Sequence, residues 1–214
     1  MEKYHSSSFP YKNVGKIAFF LKMMLLIYFI CLIFSVIASY EFLELYSEKS
    51  ILLPTDMQTS QMDYWGLAAD IVFFIIIICY CLWLYRIYQN MYSFGFDHYL
   101  RMTPGWAVGW YFVPIANFYK PYQGMKDVWD ACDTGNEKKS TSSLIKWWWI
   151  FFVSSFITFR FIINPPTKEN IIFNMKIDIA LTLFDFLSIV SVYLLIHKLS
   201  KKQEQTYQSL GSSE

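Results

Sequence analysis

Five polar residues, Asn174, Asp178, Thr182, Asp185 and Ser188, recur at steps of three or four inside an apolar stretch near the C-terminal end of the chain. That spacing lays them along one face of an α-helix, a face that lipid would not accept. A carboxylate within an apolar helix carries a proton or cation along a path, or it accepts hydrogen bonds from neighbouring helices and holds a bundle together. Asp185 is the sharper case. It lies about fourteen residues in from the start of the stretch, roughly 21 Å along a helix axis, near or past the middle of a bilayer. Ser154, Thr158 and the tryptophan indoles are donors for the structural alternative, which is favoured because polar bonds between spans occur without transport and contribute only about 0.6 kcal/mol. Asp178 and Asp185 are the candidate intramembrane polar site. Arg160, Asp70, Lys176 and Asp178 fall toward the outer end of the spans and are expected to neutralise one another as ion pairs.

Enzyme chemistry finds little footing. His5, His98 and His197 are scattered, and there is no phosphate-cradling glycine loop, Ser-His-Asp set or HExxH spacing. Cys79-x-Cys81 lacks the two-residue gap of a redox motif, and Cys31 and Cys132 complete neither a disulfide framework nor a zinc set. The chain is therefore read as non-enzymatic, with no cofactor and no metal expected.

The elements that must hold these residues follow from composition. Hydrophobic residues make up 55% of the chain and charged residues 16%, against about 25% charged in a water-soluble protein. The reading is an all-α polytopic membrane bundle of about four spans. A leader, residues 1–16, precedes a membrane domain, residues 17–196, with spans at about 17–39, 66–85, 144–163 and 171–196, each long enough to cross roughly 30 Å of hydrocarbon. Tyr40 to Trp65 carries Glu41, Glu44, Glu48, Asp56 and Asp63 and is expected as an acidic external loop interrupted by Pro54. Asp133 to Ser143 reads as a solvated linker, Asn164-Pro165-Pro166 as a tight turn, and residues 197–214 as a frayed polar tail.

Lysine and arginine set the orientation. Lys3, Lys12 and Lys16 precede the first span; Arg86, Arg101, Lys120, Lys126, Lys138 and Lys139 lie between the second and third; Lys198, Lys201 and Lys202 follow the fourth. Only Lys49 and Lys168 stand clear of the helices on the other side, so both termini are expected in the cytoplasm. The net charge of +1 and the absence of one dense basic stripe exclude a nucleic-acid partner.

Between the second and third spans runs Pro104-Gly105-Trp106-Ala107-Val108-Gly109-Trp110-Tyr111-Phe112-Val113-Pro114-Ile115-Ala116-Asn117-Phe118-Tyr119-Lys120-Pro121-Tyr122-Gln123. Thr103 followed by Pro104 predicts a capped helix start, and Pro114 and Pro121 each oppose a regular helix. A helix from Pro104 to Val113 reaches only about 15 Å, half the hydrocarbon, so residues 103–132 are expected to form a re-entrant or interfacial hairpin followed by an amphipathic helix. Gly105 and Gly109 are expected to present a small face for close helix approach. On the following helix, Tyr122, Met125, Val128, Trp129 and Cys132 form an apolar stripe opposite Lys126, Asp127 and Asp130.

This stretch, with Trp83-Leu84-Tyr85-Arg86 and Asn90 before it and Lys198 to Gln203 after the last span, resembles domain-of-unknown-function family 4328, a set of bacterial multi-pass membrane proteins. The resemblance runs from about Gly66 to Gln203. It implies a shared fold and placement in a bacterial inner membrane, and brings no reaction and no site residues. The functional expectation is a non-catalytic membrane subunit or scaffold that binds a protein partner or lipid through Arg86, Arg101, Gly105, Trp106, Gly109, Trp110, Asn117 and Lys120. Arg86 and Arg101 are the candidates for anionic headgroups, each such residue contributing on the order of 1 kcal/mol. The alternative is a small transporter or channel-like homo-oligomer using Asp185 in a proton or cation path.

Overall fold

The computed structural model describes residues 9–48, 56–133, 143–158 and 168–211. It is all-α, with six helices in chain order and no strand among the described residues: α1 Gly15–Glu48, α2 Asp56–Ser93, α3 Pro104–Gly109, α4 Lys120–Cys132, α5 Ser143–Thr158 and α6 Lys168–Gly211. Short 3-10 turns at Asp97–Tyr99, Trp110–Phe112 and Ala116–Phe118 punctuate the segment between α2 and α4. Three helices are long and apolar enough to cross a membrane, over Gly15–Glu41, Tyr64–Ser93 and Ile179–Gly211. The expected third span, 144–163, is described only as far as Thr158, where α5 forms a shorter apolar helix.

The long helices overrun their apolar windows. At 34, 38 and 44 residues, α1, α2 and α6 extend roughly 51, 57 and 66 Å, well beyond 30 Å of hydrocarbon. The acidic segment expected as a loop is largely helical: Glu41, Glu44 and Glu48 continue α1, and Asp56 and Asp63 open α2. Neither stretch contains glycine or proline before Gly66, and its leucines, glutamates, methionines and glutamines propagate helix well. Pro54 and Lys49 lie outside the described residues, as do residues 134–142 of the expected linker, the Asn164-Pro165-Pro166 turn and Arg160. The tail expected to fray is instead helical to Gly211, because Leu195, Ile196, Leu199 and Gln203 recur at helical spacing and are all fully buried.

The chain divides into two compact units. The first comprises Met1–Lys22, Ile77–Trp149 and Ser191–Glu214. It holds a dense core that includes Leu21, Trp83, Ile87, Tyr88, Met91, Met125, Trp148 and Leu195. The leader, expected to be loose, is seated in it from Phe9 onward: Val14 is buried, and the Tyr11 ring stacks on Tyr207 with centroids 3.8 Å apart.

The second unit comprises Met23–Ile76 and Ile150–Val190. Its helices meet through aromatic pairs, Tyr28 with Phe73, Phe29 with Phe186 and Phe34 with Trp65. Leu67, Ile71, Phe74 and Leu183 are each more than half exposed. An apolar surface left open in this way suits lipid, which solvates it as well as protein would.

Candidate functional site, the glycine and tryptophan hairpin

The hairpin belongs to the first unit and begins where α2 ends. Gly95 sits at φ +74°, the left-handed conformation that closes a helix; its amide donates to Tyr92 O and that of Phe96 to Met91 O. The chain then turns through Asp97–Tyr99 to Arg101, whose side chain grips α4. Arg101 Nε lies 3.0 Å from both carboxylate oxygens of Asp127, Nη2 lies 2.6 Å from Oδ1, and the Arg101 amide lies 3.3 Å from Oδ2. Hydrogen bonding to that carboxylate raises the Arg101 pKa above its ordinary value. Asp127 is 7% exposed, which corrects its expected place on the solvated face of α4. The carboxylate turns inward because it is fully engaged by one guanidinium and one amide. Arg101 thereby holds the hairpin to α4 while its side chain stays 55% exposed.

Thr103 occupies the N-cap position and Pro104 the first turn of α3, but the Thr103 hydroxyl makes no cap hydrogen bond; its backbone carbonyl instead accepts from the Ala107 amide at 2.9 Å. The rings of Trp106 and Trp110, four residues apart on one face, stack at 4.6 Å. Lys120 Nζ sits 5.5 Å from the Trp110 ring centre and 5.5 Å from that of Tyr119, a cation over two aromatic faces. The Tyr111 and Tyr80 hydroxyls are 2.8 Å apart and fasten the hairpin to α2. Outward stand Trp106, Phe112, Ile115, Phe118 and Tyr119, with Ile115 80% exposed.

Among the described residues, the two glycines expected to admit a close helix meet none. A Cβ on Gly105 would meet nothing within 4 Å, and one on Gly109 would meet only the hairpin's own Trp106 ring at 3.3 Å. Close approach happens at Gly124, where a Cβ would lie 2.5 Å from Tyr88 Oη and 3.1 Å from Met102 Sδ. Asn117, expected on the binding surface, is instead buried, and its Oδ1 has no hydrogen-bond partner among the described residues, as is also true of Tyr88 Oη and Trp129 Nε1. The indole of Trp129 lies beneath Lys202, whose Nζ is 4.0 Å from the ring centre and ion-paired with Asp133. Arg86 is half-buried on α2 without an ion pair among the described residues. The structure therefore gathers Arg101, Trp106, Gly109, Trp110 and Lys120 into one feature and sets Arg86 and Asn117 apart from its exposed face.

An amide ladder absent from the expected site ties the unit together. Asn90, fully buried, accepts from the Lys12 amide at 3.0 Å and donates through Nδ2 to Lys12 O at 2.9 Å and Gln203 Oε1 at 3.2 Å. Gln203 Nε2 in turn donates to Ile87 O at 2.8 Å. Its signal in the sequence is a pair of amides on apolar registers, Asn90 among Trp83, Ile87 and Phe94, and Gln203 four residues beyond Leu199.

On α6, Thr182, Asp185 and Ser188 are half-buried and each has a partner within the structure, while the side chains of Asn174 and Asp178 lie outside what is described. Asp70 and Lys176, expected to be paired, are exposed. Among the described residues no group of three or more histidine, cysteine or acidic side chains is placed to hold a metal ion, and all four cysteines are free.

No curated protein and no solved structure matches the chain. One family model does, over residues 55–201, a span that takes in α2, the hairpin, α4, α5 and most of α6. The chain thus belongs to the family described as a domain of unknown function, DUF4328.

Proposed function

We propose that the chain is a non-catalytic integral membrane subunit or scaffold of the cell membrane, whose hairpin binds a protein partner or lipid. The observation that carries this reading is the contrast inside the hairpin: its base is held by the Arg101–Asp127 pair and the Tyr80–Tyr111 bond, while Trp106, Phe112 and Ile115 stand exposed. A fixed support beneath an open aromatic surface is the form of a binding feature, since little ordering is left to be lost on contact.

The amide ladder bears on topology. Lys12, Asn90 and Gln203 meet in one hydrogen-bonded cluster, so an even number of crossings separates each pair. One crossing by α1 and one by α2 satisfy the first interval; α5 and α6 satisfy the second, leaving a hairpin that enters and leaves on one side. With the basic residues in the cytoplasm, both termini are inside.

The test compares the tagged full chain with Trp106→Ala and Gly109→Leu in a membrane copurification. The first removes half of the indole stack; the second pushes Trp106 from its place. Both are expected to lose the co-purifying protein or lipid while the chain itself stays folded and inserted. Unchanged capture by both variants would refute the hairpin as the binding feature. A second reading, a small oligomeric transporter, draws on the half-buried carboxylate of Asp185 in the second unit. It predicts that Asp185→Asn abolishes flux in proteoliposomes, whereas the scaffold reading predicts capture unchanged by that substitution.

A further inference from the structure

The hairpin has a measurable depth. Tyr80 precedes Arg86 by six residues on α2, about 9 Å along the helix toward the middle of the apolar span. Arg86, bordered by Tyr85 and Tyr88, marks the aromatic and basic edge of that span. The 2.8 Å bond from Tyr80 to Tyr111 therefore carries the hairpin to the same depth. The residues that follow Tyr111 point outward there: Phe112 is 65% exposed, Val113 37% and Ile115 80%.

Composition and backbone fit hydrocarbon at that position. From Thr103 to Tyr119 there is no Asp, Glu, Lys or Arg, and the segment is bracketed by Arg101 and Lys120. Lys120, laid over Trp110 and Tyr119 and without an ion pair among the described residues, has the form of a lysine held at headgroup level by interfacial aromatics. At the turn, Pro114 has no amide to satisfy. The Asn117 amide donates to Val113 O at 2.8 Å, that of Phe118 to Ile115 O at 3.3 Å and that of Tyr119 to Ala116 O at 3.1 Å. These bonds satisfy carbonyls of the turn and amides of the segment that leaves it, which lowers the cost of setting irregular backbone against hydrocarbon.

We propose that the turn Phe112–Ile115 is inserted among lipid acyl chains in the leaflet that adjoins the first unit, as a wedge with Lys120 at the headgroups. This rests on the hairpin being the binding feature and commits that feature to lipid. Insertion fixes the hairpin's exposed face in the bilayer, so the surface available to a soluble partner is confined to the polar side of α4.

The test uses the full chain in lipid nanodiscs, with a single spin label at Ile115→Cys on a background in which the four native cysteines are replaced, and Asp97→Cys as the aqueous reference. Collision with oxygen, which partitions into lipid, and with a water-soluble nickel chelate is measured at both sites. The expected result is an oxygen-to-nickel ratio above one at residue 115 and below one at residue 97. A ratio below one at residue 115 puts the turn in water, which overturns the insertion and leaves the hairpin open to a soluble partner. Low collision with both reagents means that protein covers the turn, which overturns lipid insertion and leaves the hairpin as a protein-binding surface. Should the cysteine-free chain fail to fold, p-benzoylphenylalanine at Ile115 in the otherwise native chain gives the same three answers. A lipid adduct in the mass spectrum supports insertion; a protein adduct, or none, overturns it.

Discussion

The two compact units of this chain solve opposite solvation problems. Among the described residues, the first carries eleven Lys and Arg against five Asp and Glu, and the second two against nine. The first contains most of the buried core, including every one of the largest fully buried side chains. Among the described residues, the second contributes only Leu25, Cys31, Ala69, Ile76 and Ile189 to the buried core. The first is held together by buried apolar area. The second leaves its apolar residues outward, where lipid replaces the missing core. One unit is held by burial and ionic bonds, the other by apolar length.

The sharpest way to break this comparison is a pair of aromatic truncations. Trp83→Ala removes a fully buried indole and its 3.0 Å bond to Ser200 Oγ in the first unit, and should cost about 3–5 kcal/mol. Phe74→Ala in the second unit removes a ring that is 65% exposed and should cost under about 0.5 kcal/mol. Unfolding in mixed micelles with rising SDS reads both; equal losses would mean that the second unit has a packed core after all.

Next in size is the pair that fastens the hairpin, where the two deletions are unequal. Arg101→Ala strands the nearly buried carboxylate of Asp127 and should cost about 3 kcal/mol, at the lower end of what an uncompensated buried charge costs. Asp127→Ala leaves a guanidinium whose side chain is already 55% exposed and solvated, and should cost about 1–2 kcal/mol. The same melts report the difference, and a reversed order would show that Asp127 has another source of compensation.

How far the sequence discloses these features depends on the range of the physics involved. The spans of α1, α2 and α6 are legible because apolar length is a local property, and the hairpin's limits are legible because Pro104, Pro114 and Pro121 act on their own backbone. Helix ends were harder to read. Glu41 to Glu48 reads as loop by polarity and yet propagates α1, since exposed glutamates cost a helix little once it is nucleated. The seating of the leader and tail depends on Lys12, Asn90 and Gln203 meeting across 78 and 113 residues of sequence, which no local signal encodes. Gly105 and Gly109 drew notice by their four-residue spacing, whereas the glycine that is tightly approached, Gly124, is marked only by Tyr88 arriving from another helix.

The amide ladder gives a third, smaller prediction about the first unit. Asn90→Leu keeps the volume and removes the two bonds to the Lys12 backbone and the one to Gln203, so the leader is held by its aromatic contacts to Tyr92, Phe94 and Tyr207 and by the bonds of Tyr11 and Asn13 to Glu204. A loss of about 2 kcal/mol is expected, roughly two net hydrogen bonds with one partner left unsatisfied. Hydrogen exchange should rise at residues 11–13 and stay unchanged in the second unit. Exchange rising equally in both units would show that the two open together.

Cys132 offers a probe of the same opening that has no effect at neutral pH. Its side chain is only partly covered, yet its sulfur lies 4.0 Å from Met91 Sδ, and burial pushes the thiol up to about 12 from an ordinary 9. A thiol whose pKa is raised on folding binds its proton more tightly in the native state. Its contribution is therefore fully present below pH 9, and stability falls as the pH climbs from 9 toward about 12. Cys132→Ala should flatten that decline and leave the neutral-pH melt within about 0.5 kcal/mol, because the sulfur is a small apolar group in this setting. Alkylation at pH 8 with a maleimide should be slow in the native chain and accelerate when Asn90→Leu loosens the first unit, since the thiolate forms only once the sulfur reaches water. If instead Cys132 reacts at the same rate with and without the ladder, the leader covers a unit that is already stable without it, and the ionic pairs Arg101–Asp127 and Lys202–Asp133 hold α4 in place alone.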